Sequence, residues 1–192
     1  MFIAIEGLHG VGKSTIVGLL AERLPDAVIV PTIPEELQDA RRHIDAQAPV
    51  NSRYLFYTAA VSLAAKRVRV AIQSGANVVV ESYIHRTIAF HKGLGATIDI
   101  DMTSLDLPRP DRVFFLDCDD AVRRERLRSR SRPSTYWITA AEQHTREIRS
   151  AYGAFEMVDV DTTGLTPAAV VGQLLRVLHQ SASYEERQRT CA

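Results

Sequence analysis

The chain of 192 residues is long enough for one domain with a sizeable core and too short for two ordinary domains. Its composition, 46% hydrophobic and 24% charged, is typical of soluble globular proteins, and no apolar run is long enough to cross a bilayer. The formal net charge of zero argues against the broadly basic surface of a nucleic-acid binder. We therefore expect one domain that binds neither nucleic acid nor membrane.

Short runs of apolar, often β-branched residues alternate along the chain with longer helix-like segments. The predicted strands are residues 2–5, 27–30, 77–80, 112–116 and 157–160. The predicted helices are residues 13–24, 34–46, 52–74, 84–92, 120–128, 139–155 and 166–179. Such an alternation is typical of buried parallel strands. The predicted fold class is therefore α/β, with a five-stranded parallel sheet and helices on both faces.

No internal repeat and no low-complexity linker interrupts these segments. Residues 1–180 are expected to form a single domain, and residues 181–192 to be a polar, frayed tail. Two cysteines, Cys118 and Cys191, provide neither a disulfide framework nor metal-ligand spacing. Because the first residues also lack the pattern of a signal peptide, a cytoplasmic protein is expected.

The segment 7–15, GLHGVGKST, follows the first predicted strand and precedes the first predicted helix. It contains the pattern G-x-x-x-x-G-K-[ST], a loop whose backbone N–H groups hold a polyphosphate at a helix N-terminus. Lys13 is expected to contact the terminal phosphates and to be catalytic, and Ser14 to ligate Mg²⁺. The predicted nucleotide-binding residues of this loop are Gly7, Gly10, Val11, Gly12, Lys13, Ser14 and Thr15.

Other segments favour a kinase among the P-loop proteins. A GTPase needs an N-K-x-D motif that reads the base, and this sequence contains none. The sequence DTTG at 161–164 imitates a D-x-x-G switch, but it follows the last predicted strand and is interpreted as a turn. A small single domain with a P-loop is therefore predicted to be an ATP-dependent, Mg²⁺-requiring phosphotransferase.

A cluster of arginines follows the fourth predicted strand. It contains Arg123, Arg124, Arg126, Arg128, Arg130 and Arg132. Phosphoryl transfer requires cations around the moving group, so part of this cluster is predicted to contact phosphate. Arg126 and Arg130, one helical turn apart, are predicted to be catalytic, and Arg132 to contact the nucleotide. Arg123, Arg124 and Arg128 are expected on a solvated surface.

Glu81 ends a fully apolar predicted strand. The carboxyl ends of strands in open parallel sheets line the ligand crevice, which favours a functional carboxylate over a simple turn residue. Glu81 is therefore predicted to be a catalytic residue and, together with Ser14, to hold the metal.

With these motifs in place, the chain resembles the thymidylate kinases and, more distantly, the deoxynucleoside kinases. The matching segments are FIAIEGLHGVGKST at 2–15, LF at 55–56, NVVVESY at 77–83, AFH at 89–91 and PDRVFFLD at 110–117, with the arginine spacing that follows. The resemblance implies the P-loop NTPase fold with an arginine-rich lid at about residues 129–138. It also implies that Phe56 stacks on the acceptor base, that Tyr83 packs under the sugar, and that two copies associate through the long third helix.

The acceptor side departs from the family pattern at several positions. His9 replaces an aspartate, and Ser82 and Ala60 replace arginines. An acceptor phosphate needs cationic partners, and serine offers only an uncharged hydroxyl. Arg86, one helical turn beyond Ser82, is predicted to substitute for the missing arginine. His9 and Glu35 are predicted to belong to the same acceptor site.

These departures leave the acceptor open. The favoured function is transfer of the γ-phosphoryl group of an NTP to a nucleoside monophosphate or related nucleotide. A nucleoside or small-alcohol kinase with Glu35 or Glu36 as base is an alternative, as is a nucleotide-binding regulator without turnover.

Overall fold

A computed structural model describes residues 1–129 and 136–190, including the side chains of all these residues except 136 and 181–190. The strands are β1 Phe2–Gly7, β2 Ala27–Ile29, β3 Asn77–Glu81, β4 Arg112–Asp117 and β5 Val158–Asp161. The helices are α1 Lys13–Arg23, α2 Gln38–Gln47, α3 Val50–Gln73, α4 Ile84–Gly93, α5 Asp120–Arg128, α6 Tyr136–Gln143, α7 Thr145–Tyr152 and α8 Pro167–Thr190. Short 3-10 helices occupy Glu35–Leu37 and Met102–Leu105.

The five strands form one parallel sheet in the order β2-β3-β1-β4-β5. Successive side chains of a strand point to opposite faces. In the central strand β1, Ile3 and Ile5 belong to the core that includes residues of α1 and α8, whereas Phe2 and Ala4 belong to the core that includes residues of α3. Both faces of the sheet are thus covered, which confirms the predicted α/β fold.

The predicted helix 139–155 is instead two helices, α6 and α7. The backbone leaves helical geometry at His144, with φ −115° and ψ 26°. The second helix then packs against α4 so closely that a Cβ at Gly93 would lie 2.5 Å from Cγ1 of Ile148. This contact joins segments distant in sequence, so the local pattern does not reveal it.

Two other helical segments differ from the prediction at their ends. The predicted helix 34–46 begins as the 3-10 turn Glu35–Leu37 and becomes α-helical from Gln38. The last helix continues to Thr190 instead of ending at residue 179, so most of the predicted tail is helical. The sequence SASYEERQRT at 181–190 contains glutamate, glutamine and arginine, which have high helix propensity.

The carboxyl ends of β1, β3 and β4 meet at one edge of the sheet. Ile5 of β1 pairs with Glu81 of β3, and Gly7 pairs with Leu116 of β4. In parallel α/β sheets this edge carries the ligand crevice. No helix among residues 1–129 and 136–190 is long and apolar enough to cross a membrane.

Candidate active site

The P-loop between β1 and α1 has two glycines that no other residue can replace without a clash. Gly7 and Gly10 have φ values of 135° and 91°, where side chains are disfavoured. A Cβ at Gly7 would lie 2.2 Å from the carbonyl oxygen of Leu116, and one at Gly10 would lie 2.9 Å from that of Arg123. A Cβ at Gly12, the N-cap of α1, would meet no described atom within 4 Å. The loop therefore packs against the protein at Gly7 and Gly10 and is open at Gly12. This open side, at the N-terminus of α1, is where a phosphate would bind.

Lys13 lies inside this loop. Its Nζ donates hydrogen bonds to the carbonyl oxygens of Gly7 at 2.9 Å and Leu8 at 2.8 Å. The side chain is buried, so the ammonium is held beside the loop by backbone oxygens. A phosphate oxygen in front of the loop would be within reach of the same ammonium group after a small rotation of the side chain.

Ser14 and Glu81, both predicted to hold a metal, lie together. The Ser14 hydroxyl donates to Oε1 of Glu81 at 3.0 Å, and this bond joins the start of α1 to the end of β3. Hydroxyl and carboxylate oxygens suit Mg²⁺, which usually takes only one or two protein ligands beside phosphate and water. The described part of the chain has no group of three or more His, Cys, Asp or Glu side chains that could hold a metal alone. The pair therefore fits a Mg²⁺ ion that arrives with a nucleotide.

A pocket of about 1270 Å³ opens in front of these strand ends. Its wall near the P-loop includes His9, Lys13, Glu81 and Arg86. Its far end is formed by residues of α2, α3, α4 and α6, namely Asp45, Arg53, Tyr57, His91 and Trp137. The volume exceeds that of most pockets for one small ligand, so two substrates have room to meet.

Arg86 and His9 contact each other on the pocket wall. Nη2 of Arg86 lies 3.0 Å from Nε2 of His9, and the guanidinium stacks on Phe90 at 4.6 Å. An arginine can only donate, so Nε2 of His9 accepts this hydrogen bond and the proton of the neutral ring is on Nδ1. Ser82 also lines the pocket and has a φ of 64°, an uncommon value for serine. Arg86 thus brings positive charge to the wall on which Ser82 has none.

Arg126 contacts the back of the P-loop. Nη1 donates to the hydroxyl of Thr162 at 3.0 Å and to the carbonyl oxygen of Val11 at 3.4 Å, and Nη2 donates to the carbonyl oxygen of Thr162 at 3.0 Å. These bonds fix the loop to the end of β5. Arg126 therefore lies beside the phosphate site but is engaged in supporting it. The predicted lid residues Arg130 and Arg132 lie outside the described residues.

Arg123, which was expected on a solvated surface, is 1% exposed. Its guanidinium forms a two-pronged ion pair with Glu142 of α6, and Nε donates to Asp120 at 3.2 Å. Nη1 also donates to the carbonyl oxygen of His9 at 3.3 Å. Glu142 of α6 and the P-loop thus contact this arginine, and the run of adjacent arginines in the sequence carries no sign of these contacts. Arg128 remains exposed and pairs with Glu125 at 2.9 Å.

Tyr83 and Phe56 do not line the pocket. Tyr83 is 1% exposed in the core, packs edge-on against Phe2 with ring centroids 5.3 Å apart, and donates to the carbonyl oxygen of Pro108 at 3.2 Å. On α3, Arg53 and Tyr57 form the pocket wall, while Phe56 packs edge-on against Tyr57 at 5.5 Å. The rotation of α3 therefore brings the neighbouring aromatic residue to the site.

Glu35 and Glu36 are also absent from the described residues of the pocket wall. Glu35 is exposed in the 3-10 helix. Both carboxylate oxygens of Glu36 accept from Nη2 of Arg67 at 3.0 Å, on the outer side of α3. The structure therefore gives no support for either carboxylate as a base for an acceptor hydroxyl.

Glu6 is a buried residue that the sequence reasoning missed. Its side chain is fully buried, Oε1 accepts from the backbone N–H of Tyr83 at 2.8 Å, and Oε2 accepts from the hydroxyl of Tyr152 at 3.4 Å. Burial, followed by the charge of Glu6, raises the pKa of Tyr152. A carboxylate inside an otherwise apolar strand was the available signal. Glu6 braces β1 against β3 and α7 directly beneath the P-loop.

Asp117, at the end of β4, holds α7 in place. Arg149 donates to both of its carboxylate oxygens at 3.0 Å and to Asp120 at 3.0 Å. The hydrogen bond from Arg149 also lowers the pKa of Asp120. This group supports the base of the arginine-rich segment.

Comparison with known proteins gives a consistent set of relatives. A family model for thymidylate kinase matches residues 5–161. A probable thymidylate kinase of Pyrobaculum aerophilum is 26% identical over 184 residues, which cover 91% of this chain and 96% of that protein. A thymidylate kinase of Alteromonas mediterranea is 30% identical over 146 residues, with 67% and 65% covered.

Solved structures give the same result for the fold. A thymidylate kinase from Candida albicans matches with a TM-score of 0.75 at 18% identity, and the match covers 94% of this chain and 92% of that one. At this identity the likeness concerns the fold.

Proposed function

The chain belongs to the thymidylate kinase family of ATP-dependent nucleoside monophosphate kinases, and on this premise we propose that it transfers the γ-phosphoryl group of ATP to thymidylate or a closely related nucleoside monophosphate. It is a phosphotransferase with the P-loop NTPase fold and a nucleotide substrate. One observation carries the proposal: the P-loop and the Arg86–His9 pair line the same pocket. Donor and acceptor phosphates would therefore meet in it.

On the donor side, the backbone N–H groups of the P-loop and the ammonium of Lys13 bind the β- and γ-phosphates. Ser14 and Glu81, 3.0 Å apart, are the proposed protein ligands of Mg²⁺. When bound, Mg²⁺ neutralises charge on the phosphates. Arg126 is proposed to act as a positioning residue, because its hydrogen bonds go to Val11 and Thr162.

On the acceptor side, Arg86 binds the phosphate of the monophosphate and aims one of its oxygens at the γ-phosphorus. That oxygen forms a bond to phosphorus as the bond to the bridging oxygen of ADP breaks, and ADP leaves with the electron pair. Lys13 holds the negative charge on the leaving group. Arg130 and Arg132, outside the described residues, are proposed as lid arginines around the moving phosphoryl group.

The test is a coupled ADP-release assay with Mg-ATP against two matched panels, the deoxynucleoside monophosphates and the corresponding free nucleosides. We expect turnover with a monophosphate and none with its nucleoside, because Arg86 has no partner on an unphosphorylated acceptor. Turnover with nucleosides alone would overturn the proposed acceptor class. ATP binding without turnover of any acceptor would instead favour a nucleotide-binding regulator.

We also propose that two copies associate through α3. Leu55, Leu63 and Val70 are 55%, 56% and 59% exposed, and their spacing of eight and seven residues places them on one side of the helix. An exposed apolar stripe of this kind is typical of an interface. A second copy can cover it by laying its own α3 alongside.

Light scattering at micromolar concentration tests the dimer. Leu63→Glu is expected to halve the mass because it places a charge in the middle of the interface. Ile72→Glu is the matched control, since Ile72 is 39% exposed on another side of the same helix. A monomeric mass for the unmodified protein would contradict the dimer.

A further inference from the structure

Arg86 is a half-buried cation that forms no ion pair with a carboxylate in the part of the chain that the structure describes. Its Nη2 lies 3.0 Å from Nε2 of His9, and its guanidinium stacks on Phe90. The other arginines among the described residues of the pocket wall each pair with a carboxylate, namely Arg41 and Arg53 with Asp45, Arg124 with Glu142, and Arg128 with Glu125. An uncompensated cation on a pocket wall points to an anionic ligand.

The place of Arg86 in α4 is also unfavourable for a cation. Arg86 lies in the first turn of the helix, where the partial positive charge of the helix N-terminus disfavours a second positive charge. This turn contains no acidic residue, and the N-cap Tyr83 makes no capping hydrogen bond with its side chain. The guanidinium is therefore held by contacts with other side chains, and the described ones are those with Phe90 and His9.

His9 reaches Arg86 from the P-loop and is itself held in place. Its carbonyl oxygen accepts a hydrogen bond from Nη1 of Arg123 at 3.3 Å. The next residue, Gly10, packs so closely that a Cβ there would lie 2.9 Å from the carbonyl oxygen of Arg123. The imidazole packs edge-on against Phe90, with ring centroids 5.8 Å apart. Because the backbone and the ring of His9 are both fixed, the position of its Nε2 determines where Nη2 of Arg86 lies.

The hydrogen bond between Arg86 and His9 leaves the charge of the arginine intact. Nε2 of a neutral imidazole accepts one N–H of the guanidinium and adds no negative charge. A carboxylate in the same place would form an ion pair with Arg86, and that ion pair would compete with an anionic ligand. The carboxylate would also repel the ligand. A neutral acceptor thus orients the guanidinium and leaves its remaining N–H groups and its charge for a phosphate.

We propose that His9 is a positioning residue, which holds Arg86 through a neutral acceptor so that the guanidinium charge is available to the phosphate of the acceptor nucleotide. This inference rests on the proposed function, because Arg86 is there the residue that binds the monophosphate. His9 belongs to the P-loop, so the same contact fixes the acceptor phosphate relative to the γ-phosphate of the donor. Loss of the contact should therefore lower kcat as well as raise the KM for the monophosphate.

Three substitutions of His9 test the acceptor atom and its charge separately. His9→Leu removes the acceptor and should lower kcat/KM for thymidylate by about tenfold or more. His9→Gln places a neutral amide oxygen near Arg86 and should recover most of this loss. His9→Asp keeps an acceptor but forms an ion pair with Arg86, so it should lower kcat/KM for thymidylate by about 100-fold or more. Full activity of His9→Leu or of His9→Asp would overturn the proposal.

A double-substitution cycle distinguishes this role from a general effect of His9 on the P-loop. In a protein that already carries Arg86→Met, His9→Leu should change kcat/KM for thymidylate by less than about twofold, because no guanidinium is left to orient. A further tenfold loss in that background would show that His9 acts independently of Arg86 and would overturn the proposal. His43→Leu is the matched control, since His43 is exposed on α2 and is not on the described pocket wall.

The unmodified protein provides a spectroscopic test of the same contact. The protein is labelled with nitrogen-15 at its histidines, and the imidazole signals of His9 are assigned by their absence in His9→Gln. We expect a neutral ring at pH 7.5 with its proton on Nδ1, both before and after thymidylate is added, because Nε2 accepts from Arg86 in both states. A proton on Nε2, or a doubly protonated ring, would overturn the proposal.

Calorimetric titration of the same variants with thymidylate and with thymidine separates this inference from the proposed function. Thymidylate binding that weakens in His9→Leu, without turnover in any variant, would overturn the kinase and leave the positioning role standing. Turnover that is the same with and without His9 would do the reverse. Equal affinity of the unmodified protein for thymidylate and thymidine would overturn both, because the acceptor phosphate would then have no partner in Arg86.

Discussion

The donor and acceptor halves of the pocket are built in different ways. The donor half comes from the continuous segment 7–15 and from Glu81 on the neighbouring strand, and Lys13 is held there by backbone carbonyl oxygens. The acceptor half is assembled from side chains of α2, α3, α4 and α6. A loop made mainly of backbone binds any nucleoside triphosphate in the same way. A wall made of side chains can be given a new specificity by a few substitutions, and two of the departures from the family pattern, His9 and Ser82, line the pocket.

The largest expected effect breaks the donor half. Lys13→Met should lower kcat by at least about 1000-fold, because it removes the ammonium that neutralises charge in the transition state. The KM for the acceptor should change little. Initial rates with Mg-ATP and thymidylate measure this, with Lys92→Met as control, since Lys92 pairs with Asp99 away from the pocket. A loss below tenfold would contradict the role of Lys13.

Arg86→Met breaks the acceptor half instead. We expect kcat/KM for the monophosphate to fall by about 100-fold or more, because loss of one partner from a desolvated charge pair costs about 2–5 kcal/mol. The KM for ATP should change less than about threefold if the halves are separate. Arg42→Met is the control, an exposed arginine that pairs with Asp39 outside the pocket wall. Equal losses of kcat/KM for the monophosphate and for ATP would contradict the separation of the donor and acceptor halves.

Arg123 joins the halves, because it contacts the P-loop at His9 and α6 at Glu142. Glu142→Gln should lower the free energy of unfolding by about 2 kcal/mol, since it removes one partner of a buried cation while Asp120 remains. Denaturant titration measures the change. Glu36→Gln, in an exposed pair with Arg67, is expected to leave the free energy of unfolding nearly unchanged. Equal losses in the free energy of unfolding for the two substitutions would contradict a larger contribution from the buried ion pair.

The last expected effect concerns His91 and the dependence of stability on pH. Burial lowers its pKa in the folded state from 6.5 to about 4. Between these values the unfolded chain binds the proton and the folded chain does not, so stability is full above pH 6.5 and falls as the pH drops toward 4. At pH 5 the loss is about 2 kcal/mol. Unfolding titrations measure the loss of stability between pH 7.5 and pH 5. In His91→Phe this loss should be smaller by about 2 kcal/mol than in the unmodified protein. The same loss of stability in both proteins would contradict burial of a neutral imidazole.

The fold and the P-loop could be predicted because their signals are local. The P-loop motif is contiguous, and the strands of the sheet are short apolar runs with helices between them. Glu81 was predicted from its place at a strand end, and the pairing of β1 with β3 brings it to Ser14. A motif that is contiguous in the sequence can be interpreted without knowledge of long-range packing.

The acceptor wall could not be predicted in the same way. α3 is apolar around most of its circumference, so the sequence does not reveal that Arg53 and Tyr57 face the pocket while Phe56 lies beside them. The arginines of α5 look equivalent in sequence, yet Arg123 is buried beside the P-loop and Glu142, whereas Arg128 is exposed. Tyr83 was assigned to the sugar by resemblance, and it packs in the core.

The sequence by itself therefore determined the α/β sheet, the phosphate loop and the kinase class, because each depends on residue spacing along a continuous segment. Only the tertiary structure decided which side chains form the acceptor wall, because helix rotation and burial depend on contacts between segments far apart in the chain.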